Sequence, residues 1–335
     1  MNTITRILLI TLVAVSAARA AEASAAWISY GDWQPVGLAT SYYTVEHDAD
    51  GASLWFNAHF QGHDSVIHLR GADLSSLERV LPRFDAQIIH GYDQDLGDRA
   101  TPIISRSAAL RLADGSVLVQ ASIGPAYDGG RSELYPVLFH SPDGVDKWRY
   151  LGPPSGEPAA WLDQQRQAGA RIRCEGGGIV QLADGRLRLY QQNLGASLAI
   201  IEADSVEGPW HFVRHEDGSI RNAVAGLDGG WLFPQVIAVG EHGYLLSAGD
   251  AWPPRAIRGA ISGDGLNFSW VGDNDSARII LRPHQVLAEA TSVKAVRFAW
   301  DAQQQRLLAV ANPFHQRQYP LLWSWATIDL NIFIP

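Results

Sequence analysis

The chain has 335 residues, a formal net charge of -9 and a single cysteine. The charge repels nucleic-acid phosphates and no basic tract offsets it, so a nucleic-acid partner is excluded. One cysteine cannot make an intramolecular disulfide, which leaves an apolar core to hold a fold of this length.

The opening MNTITRILLITLVAVSAARA carries a positive charge, an apolar run from Ile7 to Val15 and the small-residue sequence Ala18-Arg19-Ala20. These are the parts of a secretory signal over residues 1–21, with a mature domain over 22–335 in the periplasm or outside the cell. No cysteine follows the run, so a lipid anchor is not indicated, and no later apolar stretch reaches the roughly 18 residues of a membrane span.

Beyond residue 39 one unit recurs. TSYYTVEHDADGASLWFNAHF (40–60), SRSAALRLADGSVLVQAS (105–122), CEGGGIVQLADGRLRLYQQN (174–193), WLFPQVIAVGEHGYLLSAGD (231–250) and TSVKAVRFAWDAQQQRLLAVANP (291–313) each place a turn between alternating apolar runs. Asp-Gly at such a position is a strong hairpin signal, because the turn needs residues that tolerate positive φ. The hairpins begin roughly 60 to 70 residues apart, a spacing typical of a repeat architecture. Further strand-like runs, SVIHLR, YPVLFH and LAIIEA, fill the intervals. HSPDGVDKW (140–148) and ISGDGLNFSW (261–270) set Ser, Asp and Gly before a tryptophan, a self-capped turn with a packed indole. One short helix is expected, over 158–169.

Five such units of four short strands predict an all-β, five-bladed β-propeller with four-stranded antiparallel blades. A β-sandwich is the alternative, but it does not produce five matched hairpins. The last strand, LLWSWATIDL, is expected to pair with the N-terminal strand near AAWISYGDW, which removes the open edge.

In a propeller the innermost strands line a central channel and their first residues ring one mouth. The hairpin alignment puts Ser41 to Tyr43, Ser105 to Ser107, Glu175, Phe233 to Gln235 and Thr291 to Lys294 at equivalent heights. This ring is polar and holds one acid, Glu175, which acts either as a structural ion-pair partner of Arg106, Arg171 or Arg173 or as a functional group. Tyr43, Gln235 and Lys294 are substrate-binding candidates by position, and the three arginines are donors suited to an acidic sugar. The twelve tryptophans and ten tyrosines offer either sugar platforms or core packing.

EGGGIVQLADGRLRLYQQN resembles the segment that carries the general acid in five-bladed glycoside hydrolases of the family 43, 62 and 32 kind, and Glu175 and Gly176 match its Glu-Gly pair. The resemblance implies a propeller hydrolase with Glu175 as proton donor. Those families place aspartates at the heads of blades one and two, where this chain reads Ser-Tyr-Tyr and Ser-Arg-Ser. Glycoside hydrolysis needs a second carboxylate, about 6.5 to 9.5 Å from the first in inverting enzymes. Candidates are Asp95 and Asp98, with Asp93, in GYDQDLGD before blade two, and Asp32 in GDW; Asp128 and Glu133 are weaker. The rival reading is a non-catalytic propeller that binds a glycan or supports an envelope assembly. No cofactor is expected. His59, His63, His68 and His315 lack ligand spacing on one element and are read as surface or channel-lining groups. No G-x-S-x-G elbow is present, and sialidase chemistry would require a sixth blade.

Overall fold

A computed structural model of the chain describes residues 27–39, 43–60, 63–76, 78–80, 103–124, 133–144, 147–224, 232–250, 252–271, 278–315 and 320–333. The chain enters through β1 (Ile28–Tyr30) and β2 (Gln34–Ala39). Blade one is β3 (Tyr43–Asp48), β4 (Gly51–Phe60), β5 (His63–Gly71) and β6 (Glu78–Val80), and blade two is β7 (Ile103–Arg111), β8 (Val117–Gly124), β9 (Tyr135–Ser141) and β10 (Arg149–Gly152). Blade three is β11 (Gly177–Gln181), β12 (Leu187–Gln192), β13 (Leu198–Ala203) and β14 (His211–Phe212). Blade four is β15 (Leu232–Ala238), β16 (Tyr244–Gly249), β17 (Ile257–Ser262) and β18 (Ser269–Trp270), with β19 (Ile279–Leu281) paired to β17. Blade five is β20 (Ser292–Asp301), β21 (Arg306–Phe314) and β22 (Pro320–Ile328), completed by β1 and β2, which both pair with β22. All pairs within the sheets are antiparallel, so the expected five-bladed propeller, closed by its two chain ends, is what the residues form.

The repeated turn has one physical cause. In LADG of blade two, Leu112 N–H donates to Ser116 O (2.8 Å), Gly115 N–H to Leu112 O (2.9 Å) and Ser116 N–H to the Asp114 carboxylate (2.9 Å). In LADG of blade three the same three bonds run from Leu182, Gly185 and Arg186 at 2.8, 2.9 and 3.1 Å. Gly115 and Gly185 take φ 86° and 90°, which L side chains rarely adopt. The two Ser-Asp-Gly turns also form as read: Gly144 N–H and Gly265 N–H donate to Ser141 and Ser262 hydroxyls, both at 2.9 Å.

Each inner strand, β3, β7, β11, β15 and β20, packs against the inner strands of its two neighbours, which closes the ring. The apolar core lies between blades: Trp55 of blade one meets Trp148 of blade two edge-on at 5.5 Å. The expected helix is α1 (Glu157–Gln167), with Pro in its first turn and Leu162 buried; a single turn, α2 (Pro283–Val286), precedes blade five. None of the described helices is long and apolar enough to cross a membrane.

Candidate functional site

The heads of the inner strands are irregular at one common height. The β7–β8 ladder shifts register between Ser105 and Ala108, β15–β16 between Leu232 and Gln235, and β20–β21 between Val293 and Val296. In blade three the same level is occupied by Gly176 and Gly177 at φ 69° and 153°. Bulges bend a strand and re-aim its side chains, and they gather beside functional sites. Four of the five positions aligned from the sequence therefore coincide with backbone that departs from a plain ladder.

Glu175 is 4% exposed at the head of β11. The Arg173 guanidinium donates to its carboxylate, while the arginine side chain is 49% exposed. The rest of the EGGG…QQN segment braces this head. Gln191 donates its amide N–H to Gly176 O (3.0 Å), Gln192 donates its backbone N–H to the same carbonyl (3.3 Å), and Asn193 donates to Arg173 O (2.9 Å). Gln191 is in turn held by the Gln120 amide of blade two. The glycines are a packing requirement: a Cβ on Gly178 would lie 2.5 Å from Val236 O and 2.7 Å from Val236 N, where β11 and β15 meet.

The other predicted ring residues divide. Tyr43 is 2% exposed, and its hydroxyl sits 3.1 and 2.9 Å from the carbonyls of Ala295 and Val310; burial holds this phenol far above its usual range. The Gln235 amide donates to Phe298 O (3.1 Å) and accepts from Phe298 N–H (2.8 Å), clamping blade four to blade five. Both side chains are committed to blade junctions. Lys294 is nearly buried, with its ammonium 5.3 Å from the Phe233 ring and 5.8 Å from that of Trp252. Trp252 is the single exposed large apolar side chain among the described residues, at 60%. Arg171 is exposed on the segment leading to Glu175. The side chain of Arg106, and Asp93, Asp95, Asp98 and Asp128, lie outside the described residues, as do the side chains of His59 and His63. Asp32 is exposed between β1 and β2, at the outer edge of blade five and away from the channel. Glu133 accepts the Tyr135 hydroxyl beneath the Arg166 guanidinium.

His68 departs from the sequence reading. It is 1% exposed and stacks on Trp55 with centroids 3.9 Å apart and planes 4° apart. Burial and the nearby Arg111 and Arg70 charges push it down to about 4, so it is neutral at physiological pH. Among the described residues no three histidine, cysteine or carboxylate side chains cluster as metal ligands.

Below the strand heads the channel holds an open cavity of about 500 Å³, lined by all five inner strands, among them Glu46, Asp48, Arg111, Gln181 and Trp300. Glu46 borders this space while surrounded by protein, which raises its carboxyl through burial against the opposing Arg111 charge and the Trp55 hydrogen bond. Asp48 is held low: burial works against it, but hydrogen bonds from Arg70 and the Asp50 N–H outweigh burial. Glu175 and Glu46 thus belong to opposite ends of the channel.

Two side chains that sequence reasoning missed complete the upper mouth. Trp252 was hidden among eleven other tryptophans. Arg297 lies in the buried strand SVKAVRFAWD, where a cation among apolar residues was the available signal. It is 5% exposed and bonds to carbonyls of blades one and four.

No protein-family model and no curated protein matches this sequence. Solved structures do. A glycosyl hydrolase from Bacteroides ovatus matches with a TM-score of 0.55 at 11% identity, covering 86% of this chain and 83% of that one. The exo-β-1,3-galactanase 1,3Gal43A from Clostridium thermocellum matches at 0.57 and 12%, covering 89% and 62%. The catalytic domain of the family 62 α-L-arabinofuranosidase from Coprinopsis cinerea matches at 0.54 and 12%, covering 84% and 89%. The chain shares the five-bladed propeller of these glycan-active proteins as a distant resemblance. Identities this low speak to the fold, and the chemistry has to be argued from the site.

Proposed function

We propose that this chain is an exported, glycan-active propeller, a glycoside hydrolase that binds a poly- or oligosaccharide at the upper channel mouth with Glu175 as proton donor. The observation that carries the reading is the placement of Glu175: among the described residues it is the one acid on the inner-strand heads, nearly buried and braced by Gln191 and Asn193. A general acid must be held within hydrogen-bond reach of the leaving oxygen, and a carboxylate held in place at the channel mouth suits that task. In this reading Asp95 or Asp98, from the segment before β7, supplies the second carboxylate. The signal-like segment 1–21 supports export to the periplasm or medium.

The test is hydrolysis of aryl glycosides and a panel of polysaccharides by the wild type and Glu175→Gln. Turnover by the wild type and a loss of about 10² to 10⁴-fold in a normally melting variant support the reading. A second reading, a non-catalytic glycan-binding or envelope-assembly propeller, is favoured by the Arg173 ion pair on Glu175 and by the absence of aspartate from the heads of blades one and two. Oligosaccharide binding without turnover of any substrate selects it.

A further inference from the structure

Arg297 reaches the backbone of both flanking blades. Its Nε–H donates to Tyr43 O (3.3 Å) in blade one and an Nη1–H to Phe233 O (2.8 Å) in blade four. A side chain on β20 that touches both neighbouring inner strands must cross the channel face of its own strand. The guanidinium therefore floors the upper mouth, directly above the level of Thr44, Gln235 and Phe298, which border the lower cavity. Phe233, at φ 55° in the β15 bulge, has the carbonyl that receives it.

Among the described residues two carbonyls take two of the five N–H groups, and three are left on the Nη1–Nη2 edge. No carboxylate pairs with Arg297 among the described residues, and the one ionisable neighbour that bears on it is the neutral Tyr43 phenol. Burial lowers the guanidinium only to about 10, so it is charged at neutral pH. A buried guanidinium without an acid is unfavourable unless something else supplies the anion, and its free edge matches a carboxylate bidentately.

We propose that Arg297 anchors the carboxylate of an acidic sugar residue bound in the upper mouth. This rests on the glycan-active reading above and names its ligand class. The anchoring charge thereby moves from the rim arginines expected from the sequence, of which Arg173 is already engaged by Glu175, to a residue inside the channel.

The experiment is calorimetric titration of the wild-type chain, Arg297→Lys and Arg297→Gln with glucuronate and with its uncharged methyl ester. Wild type should bind the acid at least about tenfold more tightly than the ester. Arg297→Lys should keep part of that preference and Arg297→Gln should lose it. If Arg297→Gln does not fold, the acid-to-ester ratio in the wild type and in Arg297→Lys still decides. Equal affinities of the wild type for acid and ester, no binding of either, or a folded Arg297→Gln that keeps the preference overturns the proposal. Neutral glycosides turned over equally by the wild type and Glu175→Gln would remove Glu175 as the proton donor, and no turnover of any glycoside would sink the hydrolase reading; both leave this ratio untouched, so the two proposals fail separately.

Discussion

Arg173 donates to the carboxylate of Glu175 from two residues away in sequence, with the guanidinium half in solvent and the carboxylate almost wholly out of it. The pair separates two roles for Glu175. A neighbouring cation favours the ionised carboxylate, so removing it makes the group hold its proton to higher pH. If Glu175 is the proton donor, Arg173→Ala should remain active and the alkaline limb of its kcat/KM profile should move up. If the pair is structural, Arg173→Ala and Glu175→Gln should both lower the melting temperature, and no limb should move.

The glycine triplet after Glu175 makes a prediction about stability. A methyl at Gly178 must displace the Val236 backbone, since its Cβ would stand 2.5 Å from that carbonyl. Gly178→Ala should destabilise by about 1 to 3 kcal/mol in denaturant unfolding, the range for overpacking a tight junction. Gly263, where an added Cβ meets nothing within 4 Å, is the control and should be near neutral. Equal effects at the two sites would mean that blades three and four do not depend on this close approach.

The architecture was legible because its cause is local. Asp114-Gly115 and Asp184-Gly185 close the same hydrogen-bonded turn, and that identity is written directly in LADG. Glu175 was legible as the acid of the ring because inner-strand heads align once the turns are aligned. The roles of Tyr43 and Gln235 were not, because the same polar residue types serve a ligand or a blade junction, and only the distances to Ala295, Val310 and Phe298 separate the two. His68 was read as a surface or channel group because a histidine in SVIHLR does not announce that Trp55 lies across the strand pair. Arg297 was missed because its partners, Tyr43 O and Phe233 O, are backbone atoms more than sixty positions away that no side-chain pattern reports.

Trp252 predicts a binding effect without a folding effect. Its ring is 60% exposed beside Phe233 and Lys294, and an exposed indole at a channel mouth presents an apolar face to a pyranose. Trp252→Ala should weaken oligosaccharide binding about tenfold, or ~1.4 kcal/mol, with an unchanged melting temperature. Trp252→Tyr should recover part of the loss. Unchanged affinity in Trp252→Ala would remove the platform from the site.

His68 predicts how stability responds to acid. Its folded value of about 4 lies below the ordinary 6.5 because burial penalises the imidazolium and Arg111 and Arg70 repel it, with Asp48 opposing. As pH falls, the unfolded chain takes up this proton first. The contribution of His68 is therefore complete above pH 6.5 and is lost progressively down to about 4, by at most about 3 kcal/mol. Among the described residues neither ring nitrogen has a hydrogen-bond partner, so His68→Phe keeps the stack on Trp55 and gives up no hydrogen bond there. Between pH 6.5 and 4, the unfolding free energy of the wild type should fall more steeply than that of His68→Phe. Parallel curves over that window would show that His68 takes up its proton equally in the folded and unfolded chains, and that the buried stack imposes no electrostatic constraint.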